Sequence, residues 1–286
     1  MRWLSSLQRN AWVTLALVPF LVFFVMFEAI PIVVLLMGSV GGLDSPNLKY
    51  LGQVFGHPVY RQAVINSVYV SGASSLVGAV VGTALGYGLM VSRHNRIRES
   101  LIALANVTSN AGGVSLAFGF ITVLGATGGI TVALRLLGID LYSFFTLYSM
   151  TGLVVVYVYF QVPLMVVLML PAFGALRREW REASTSLGGT SIDFWRRVGI
   201  PVLLPAILAG TVLMFASGMG AFATALALMG GQANLMTVQV SVLRQGEVIF
   251  DPSQADAMAT VLLVFVALSV VGYNVIQRRA QRWLRA

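Results

Sequence analysis

Long apolar runs alternate with short polar connections along the whole chain. A helix in lipid satisfies its own backbone hydrogen bonds, and it needs about 20 apolar residues to cross the hydrocarbon. Six runs meet that length: residues 12–38, 63–92, 101–124, 149–173, 202–228 and 257–277. The pattern predicts an all-α integral membrane protein with about six transmembrane helices, forming one membrane domain over residues 1–286. The third run is the least regular, because Asn106, Thr108, Ser109, Asn110, Gly112 and Gly113 interrupt it.

One connection departs from the pattern. Between the fourth and fifth runs lies REASTSLGGTSIDFWRRVGIPVLLP, part of a polar and basic segment over residues 177–205. Residues 177–187 read as a short helix, and Gly188-Gly189 supplies the left-handed residue that ends helices. Thr190 is placed as an N-cap with Asp193 three residues on, in capping-box position. A second helix follows through Ile192, Phe194, Trp195 and Val198, and Pro201 is expected to end it before the chain re-enters the membrane. The expectation is a helix–turn–helix on one membrane face. Small residues Ala183, Ser184 and Ser186 allow another surface close approach, and Arg177, Arg178, Arg181 and Glu182 offer directional pairing.

Composition agrees with a membrane protein: 58% of residues are apolar and 10% are charged, against about 25% charged in soluble domains. The net charge of +8 would suit nucleic acid, but its distribution argues otherwise. Arg2, Arg9, Arg93, Arg96, Arg98, Arg177, Arg178, Arg181, Arg196, Arg197, Arg278, Arg279, Arg282 and Arg285 fall on one side of the predicted topology. Lys49, Arg61, Arg135 and Arg244 fall on the other. Positive charge flanking spans stays in the cytoplasm, which places both termini inside and makes the basicity a topology signal. The setting this implies is a membrane whose basic face is cytoplasmic, with lipid and no nucleic acid as partner. The first run is longer than a signal-peptide core and reads as a retained anchor. With no cysteine, disulfides and thiolate metal sites are excluded.

Within the runs, Glu28 falls near the outer edge, where snorkelling is cheap. Gly78, Gly82 and Gly86 recur every four residues, a smooth stripe for another helix, read as packing within the chain. Ser71, Ser74 and Ser75 read as groups that bond between helices. Asn66, Asn106 and Asn110 are candidates to line a polar pathway.

No catalytic constellation emerges. His57 and His94 fall on opposite sides of the predicted membrane, no P-loop is present, and the single lysine, Lys49, falls outside. The chain is therefore expected to be no enzyme, to hold no metal and to bind no cofactor.

The polar segment resembles the coupling motif of binding-protein-dependent ABC importer permeases, which runs Glu-Ala-Ala, three residues, Gly, then Phe and Ile/Leu-Pro. Glu182 and Ala183 match its start, Ser184 stands for the second alanine, and Gly188, Phe194, Ile200, Pro201 and Pro205 match the rest. The resemblance implies a type I, MetI-like permease with several partners. These are two cytoplasmic ATP-binding cassette subunits carrying ATP and Mg, a second permease subunit of the same or a different chain, and an external solute-binding protein. Residues 220–231 are similar to the corresponding region of polyamine-type permeases, with Gly220, Phe222, Thr224, Gly230 and Gly231 fitting a Gly-x-Phe-x-Thr pattern that runs to Gly-Gly. An acid that often follows the first glycine is Ala221 here. Phe222 and Thr224 join the pathway candidates, and the implied solute is polyamine-like, with ferric iron, thiamine and phosphonate as related cargoes. Two other readings stand beside this one: an ion-coupled secondary transporter, and a membrane scaffold docking a protein that is not an ATPase.

Overall fold

In the computed structural model the described residues are 17–42, 46–245 and 250–285, with side chains described up to residue 278. The expected places of Arg2 and Arg9, and of the side chains of Arg279, Arg282 and Arg285, lie outside them. The described residues form helices and turns, with no strand among them.

The helices are α1 (Leu17–Ser39), α2 (Lys49–Gly56), α3 (Pro58–Val91), α4 (Asn95–Ser109), α5 (Val114–Leu124) and α6 (Gly129–Leu136). After them come α7 (Met150–Gly174), α8 (Arg178–Ser186), α9 (Ser191–Gly220), α10 (Phe222–Met229), α11 (Met236–Gln245) and α12 (Pro252–Arg285). Six stretches are long and apolar enough to cross a membrane: α1, α3, the stretch Val114–Leu136, α7, α9, and α12 as far as Arg278. The protein is a multi-pass, all-α membrane protein.

Three expectations about helix boundaries change. The third predicted span is not one helix but falls across α4 and α5. Asn106 and Asn110 turn their amides onto the carbonyls of Ile102 and Asn106, each at 3.0 Å, and Gly113 adopts φ +84°. These local bonds compete with the helix ladder and end α4. Pro201 does not end a helix, because α9 runs unbroken from Ser191 through it to Gly220. A π turn at Trp195–Gly199, with the Ile200 N–H bonded to the Trp195 carbonyl, widens the helix just before the proline. The fifth span closes at Gly220 instead of residue 228, where Ala221 leaves helical geometry and separates α10. Two connections between these stretches also carry helices of their own, α2 and α11, while α6 completes the stretch Val114–Leu136.

The chain divides into two compact units, residues 1–60 with 240–261, and residues 61–239 with 262–286. In the first, Asp256 is buried and ion-paired with Arg244. Its carboxylate lies against Gly38, which leaves no room there for a Cβ. Glu28 lies in a π turn of α1 with its side chain exposed.

The second unit is organised around α7. The glycine stripe of α3 packs on it: a Cβ at Gly78 would stand 3.1 Å from that of Gln161, one at Gly82 2.5 Å from that of Met165, and one at Gly86 3.1 Å from the Phe173 ring. The small residues thus serve packing within the chain, letting two backbones approach. Ala79, Met165, Met169, Phe173, Leu203 and Met214 form the apolar core among α3, α7 and α9. Ser74 and Ser75 differ from expectation, donating to carbonyls of their own helix at Val70 (2.7 Å) and Gly72 (3.0 Å). A buried hydroxyl finds that acceptor without needing a second helix.

Candidate functional site: the elbow between α8 and α9

Glycine chemistry shapes the elbow. Gly188 takes φ +78°, a conformation costly for any residue with a Cβ. Its N–H donates to the Thr185 carbonyl at 3.0 Å, and the Gly189 N–H donates to that of Ser184 at 2.9 Å, closing α8. A Cβ on Gly189 would stand 2.8 Å from Ser184 Oγ, so the second glycine is required by space. The capping box at the start of α9 is complete: the Asp193 N–H donates to Thr190 Oγ1 at 3.2 Å, and the Thr190 N–H to Asp193 Oδ2 at 3.0 Å.

Aromatic side chains fasten this elbow to the spans. Phe194 is buried and meets Trp195 edge-on at 5.8 Å. Trp195 meets Tyr87 of α3 edge-on at 4.9 Å, and Tyr87 stands 6.0 Å from Phe173 of α7. Such pairs add about 0.5–1.5 kcal/mol each beyond buried area. The elbow is therefore joined to three long helices.

Its tip is the opposite. Leu187 is 88% exposed and Ile192 77% exposed, two large apolar side chains flanking the turn. The two sides of α8 differ in chemistry. Ala183, Ser184 and Gly188, together with Trp180 and Leu187, line a notch of about 660 Å³. Glu182 lies on the other side, in a cavity of about 970 Å³ with Arg93, Arg177, Arg178 and Arg181, and it pairs with Arg178 at 3.3 Å. The sequence motif is thus divided between two surfaces. Ile200 and Pro201 are exposed and Pro205 is half-buried, all within α9.

The pathway candidates do not form one cluster. The Asn66 amide donates to the Asn234 carbonyl at 2.9 Å, and neighbouring Ser67 accepts the Met236 N–H at 2.9 Å, so both hold the start of α11. Asn106 and Asn110 are exposed and cap α4. Thr224 is buried, with Oγ1 accepting the Gly113 N–H at 2.9 Å and donating to the Gly113 carbonyl at 3.3 Å, which ties α10 to the start of α5. Phe222 is half-buried at the first position of α10.

Two residues of this region went unread in the sequence. Tyr157 donates its hydroxyl to the Ala221 carbonyl at 2.5 Å, satisfying a group freed where α9 breaks. Gln161 is fully buried and bonds the Met214 carbonyl at 3.3 Å. A glutamine inside the apolar run of residues 149–173 was the available signal.

No family model matches the chain. Curated relatives do. It is 27% identical over 219 residues to the molybdenum transport system permease protein ModB of Mycobacterium tuberculosis, a match covering 75% of this chain and 79% of the relative. It is 31% identical over 137 residues to the sulfate transport system permease protein CysT of Salmonella typhimurium, covering 47% of this chain and 49% of the relative. To the spermidine/putrescine transport system permease protein PotB of Haemophilus influenzae it is 27% identical over 184 residues, 64% of each chain. The fold matches a chain of a bacterial alginate ABC transporter, solved in complex with an alginate pentasaccharide-bound periplasmic protein. The TM-score is 0.74 at 16% identity, covering 100% of this chain and 99% of that one. The chain is thus a homologue of permease proteins from several transport systems, with the fold of a transmembrane chain of an ABC importer and an elbow whose sequence carries the motif.

Proposed function

We propose that this permease subunit transmits the nucleotide cycle of two ATP-binding cassette partners into opening and closing of a solute pathway. The observation that carries the reading is the elbow: exposed and apolar at its tip, glycine-turned and capped, and continuous with a span. Because α9 is one helix from Ser191 to Gly220, displacing the tip turns the span as a body. The aromatic chain Phe194–Trp195–Tyr87–Phe173 carries the same displacement to α3 and α7. Leu187 and Ile192 supply the apolar contact to a partner, and the Ala183–Ser184–Gly188 notch supplies room for it. Glu182, paired with Arg178, holds the charged side of α8 in place. ATP and Mg reside on the partner subunits, with the elbow and both termini on the cytoplasmic side. A second permease subunit completes the pathway, and an external binding protein delivers the solute. A ligand-driven switch of this kind needs partner contacts that differ between its two states.

The solute is small and polar. Among the relatives molybdenum, sulfate and polyamine systems appear side by side, so the polyamine-like pattern of residues 220–231 is one reading of several. A specific observation favours an oxyanion over a polycation: the polar side chains lining the small space beside the break in α9 are the hydroxyls of Ser67, Ser71, Tyr157 and Thr237, with no carboxylate among that lining. A polycation in a low-dielectric site requires such groups.

The test is reconstitution of the chain with its ATPase and binding-protein partners in proteoliposomes. Leu187→Asp combined with Ile192→Asp should abolish co-purification of the ATPase, and Glu182→Ala should uncouple hydrolysis from uptake. Full coupled uptake by both variants would refute the coupling role. Competition of uptake by molybdate or sulfate supports the oxyanion reading, and competition by spermidine overturns it.

A further inference from the structure

The charged cavity beside α8 does not stand alone. It shares Tyr87 and Trp195 with a second, wholly different space, a groove of about 370 Å³ lined by Ala79, Val80, Ala84, Leu203 and Ile207. Along α3 the two follow one face. Ala79, Val80, Thr83, Ala84 and Tyr87 border the groove, then Met90 and Val91 border the cavity, over about 18 Å at 1.5 Å per residue. Arg93 stands just beyond the helix end, opposite Arg177, Arg178 and Arg181 of the α8 segment. Four arginines thus face one acid, Glu182, at the wide end, and an apolar slot leads away from them between α3 and α9.

The geometry points to a site for an anionic phospholipid, with one acyl chain in the groove and the phosphate among the arginines. Each part of the site matches a part of that molecule. The guanidinium fork suits phosphate oxygens. Arg177 is positioned over the Trp180 ring at 6.0 Å, which orders one of those donors. The Thr83 hydroxyl has no protein partner and sits one turn up from Tyr87, where a glycerol ester carbonyl can accept it. Tyr87 and Trp195 meet at the junction of apolar and charged space, the place such amphipathic rings occupy at a membrane interface. Basic pockets between spans are known generally to take anionic headgroups. A protein segment filling the groove would leave an excess of three positive charges, four arginines against Glu182, unmatched beside it, whereas a free anion would leave the groove empty. The site requires neither the ATPase nor the solute, so it stands or falls apart from the transport reading. Its location behind the elbow makes the bound lipid a wedge against which α8 is seated.

The test uses the full chain in nanodiscs and in detergent, with native mass spectrometry reading retained lipid. Phosphatidylglycerol should be retained about tenfold over phosphatidylcholine, a factor equal to about 1.4 kcal/mol. Arg93→Gln with Arg181→Gln should remove that preference. Ala84→Phe, which fills the groove and leaves every charge in place, should lower phosphatidylglycerol retention as well. Raising salt on the unmodified protein should weaken the preference, a measurement that needs no variant to fold. Equal retention of the two lipids, an unchanged preference in the arginine variant, or indifference to salt overturns the site. So does a free-anion result, in which inorganic phosphate displaces the headgroup and Ala84→Phe has no effect.

Discussion

The sharpest structural test lies at Gly82, where α3 and α7 approach most closely along the glycine stripe. Replacing it with alanine would put a methyl 2.5 Å from Met165 Cβ and 2.7 Å from the Val162 carbonyl oxygen. Carbon atoms rest at about 3.5–4.0 Å, so the two helices must separate locally by about 1 Å. Neither obstacle can swing aside, since one is backbone and the other is the first atom of a side chain. Overpacking of this kind costs about 1–3 kcal/mol. At roughly 2–4 °C per kcal/mol for a chain of this size, Tm should fall by about 2–12 °C. Gly72 and Gly88 are on the same helix with nothing within 4 Å of the added carbon. Alanine there should be neutral or stabilising by up to about 1 kcal/mol through helix propensity. Thermal unfolding of the purified chain in detergent, followed by tryptophan fluorescence, measures all three variants. If Gly82→Ala unfolds no earlier than Gly72→Ala, the stripe is not the α3–α7 contact.

Other sites give independent expectations. Arg244→Gln strips the partner from buried Asp256 and should cost about 2–4 kcal/mol, while adding Asp256→Asn should recover part of the loss; chemical denaturation of both variants checks this. Gly189→Ala drives its methyl into Ser184 and should open the elbow, seen as faster proteolytic cleavage between α8 and α9 with little change in Tm. Thr224→Val removes both bonds to Gly113 and should cost about 1–3 kcal/mol, with amide exchange quickening at Val114–Ala117.

What the sequence revealed and what it hid divide along the range of the interaction. The elbow was legible because Gly188-Gly189 and Thr190-x-x-Asp193 act on their own backbone, within four residues. The long apolar runs were legible for the same reason, since bilayer thickness sets their length. The helix on which Gly78, Gly82 and Gly86 pack was not, because a smooth face names no partner. Asn66 and Thr224 were read as pathway polar groups, yet their bonds go to backbone at Asn234 and Gly113, 168 and 111 residues away. Side chains that repair helix breaks and side chains that meet a solute have the same composition. Only the fold separates them.

Proline misled for a different reason, and the correction is itself testable. Both π turns among the described residues precede an Ile-Pro pair: Val25–Ala29 before Ile30-Pro31, and Trp195–Gly199 before Ile200-Pro201. A π turn amounts to one extra residue in an α-helix, and it opens the ladder just ahead of a residue with no N–H to give. In a regular helix the Pro201 ring would press on the carbonyl of Arg197, four residues back. Deleting Arg196, which is exposed, should turn the Ile200-to-Trp195 bond from an i to i−5 into an i to i−4 bond. The flanks would keep their phase, so Trp195 stays on Tyr87 and Phe194 on Trp195, but Pro201 now sits in a regular helix and should cost about 3 kcal/mol. Adding Pro201→Ala to the deletion should restore most of that stability, whereas Pro201→Ala in the unmodified chain should change little. Tm values of the three variants decide the matter. A deletion as stable as the parent, or one that Pro201→Ala fails to rescue, would mean that the wide turn does not accommodate the proline.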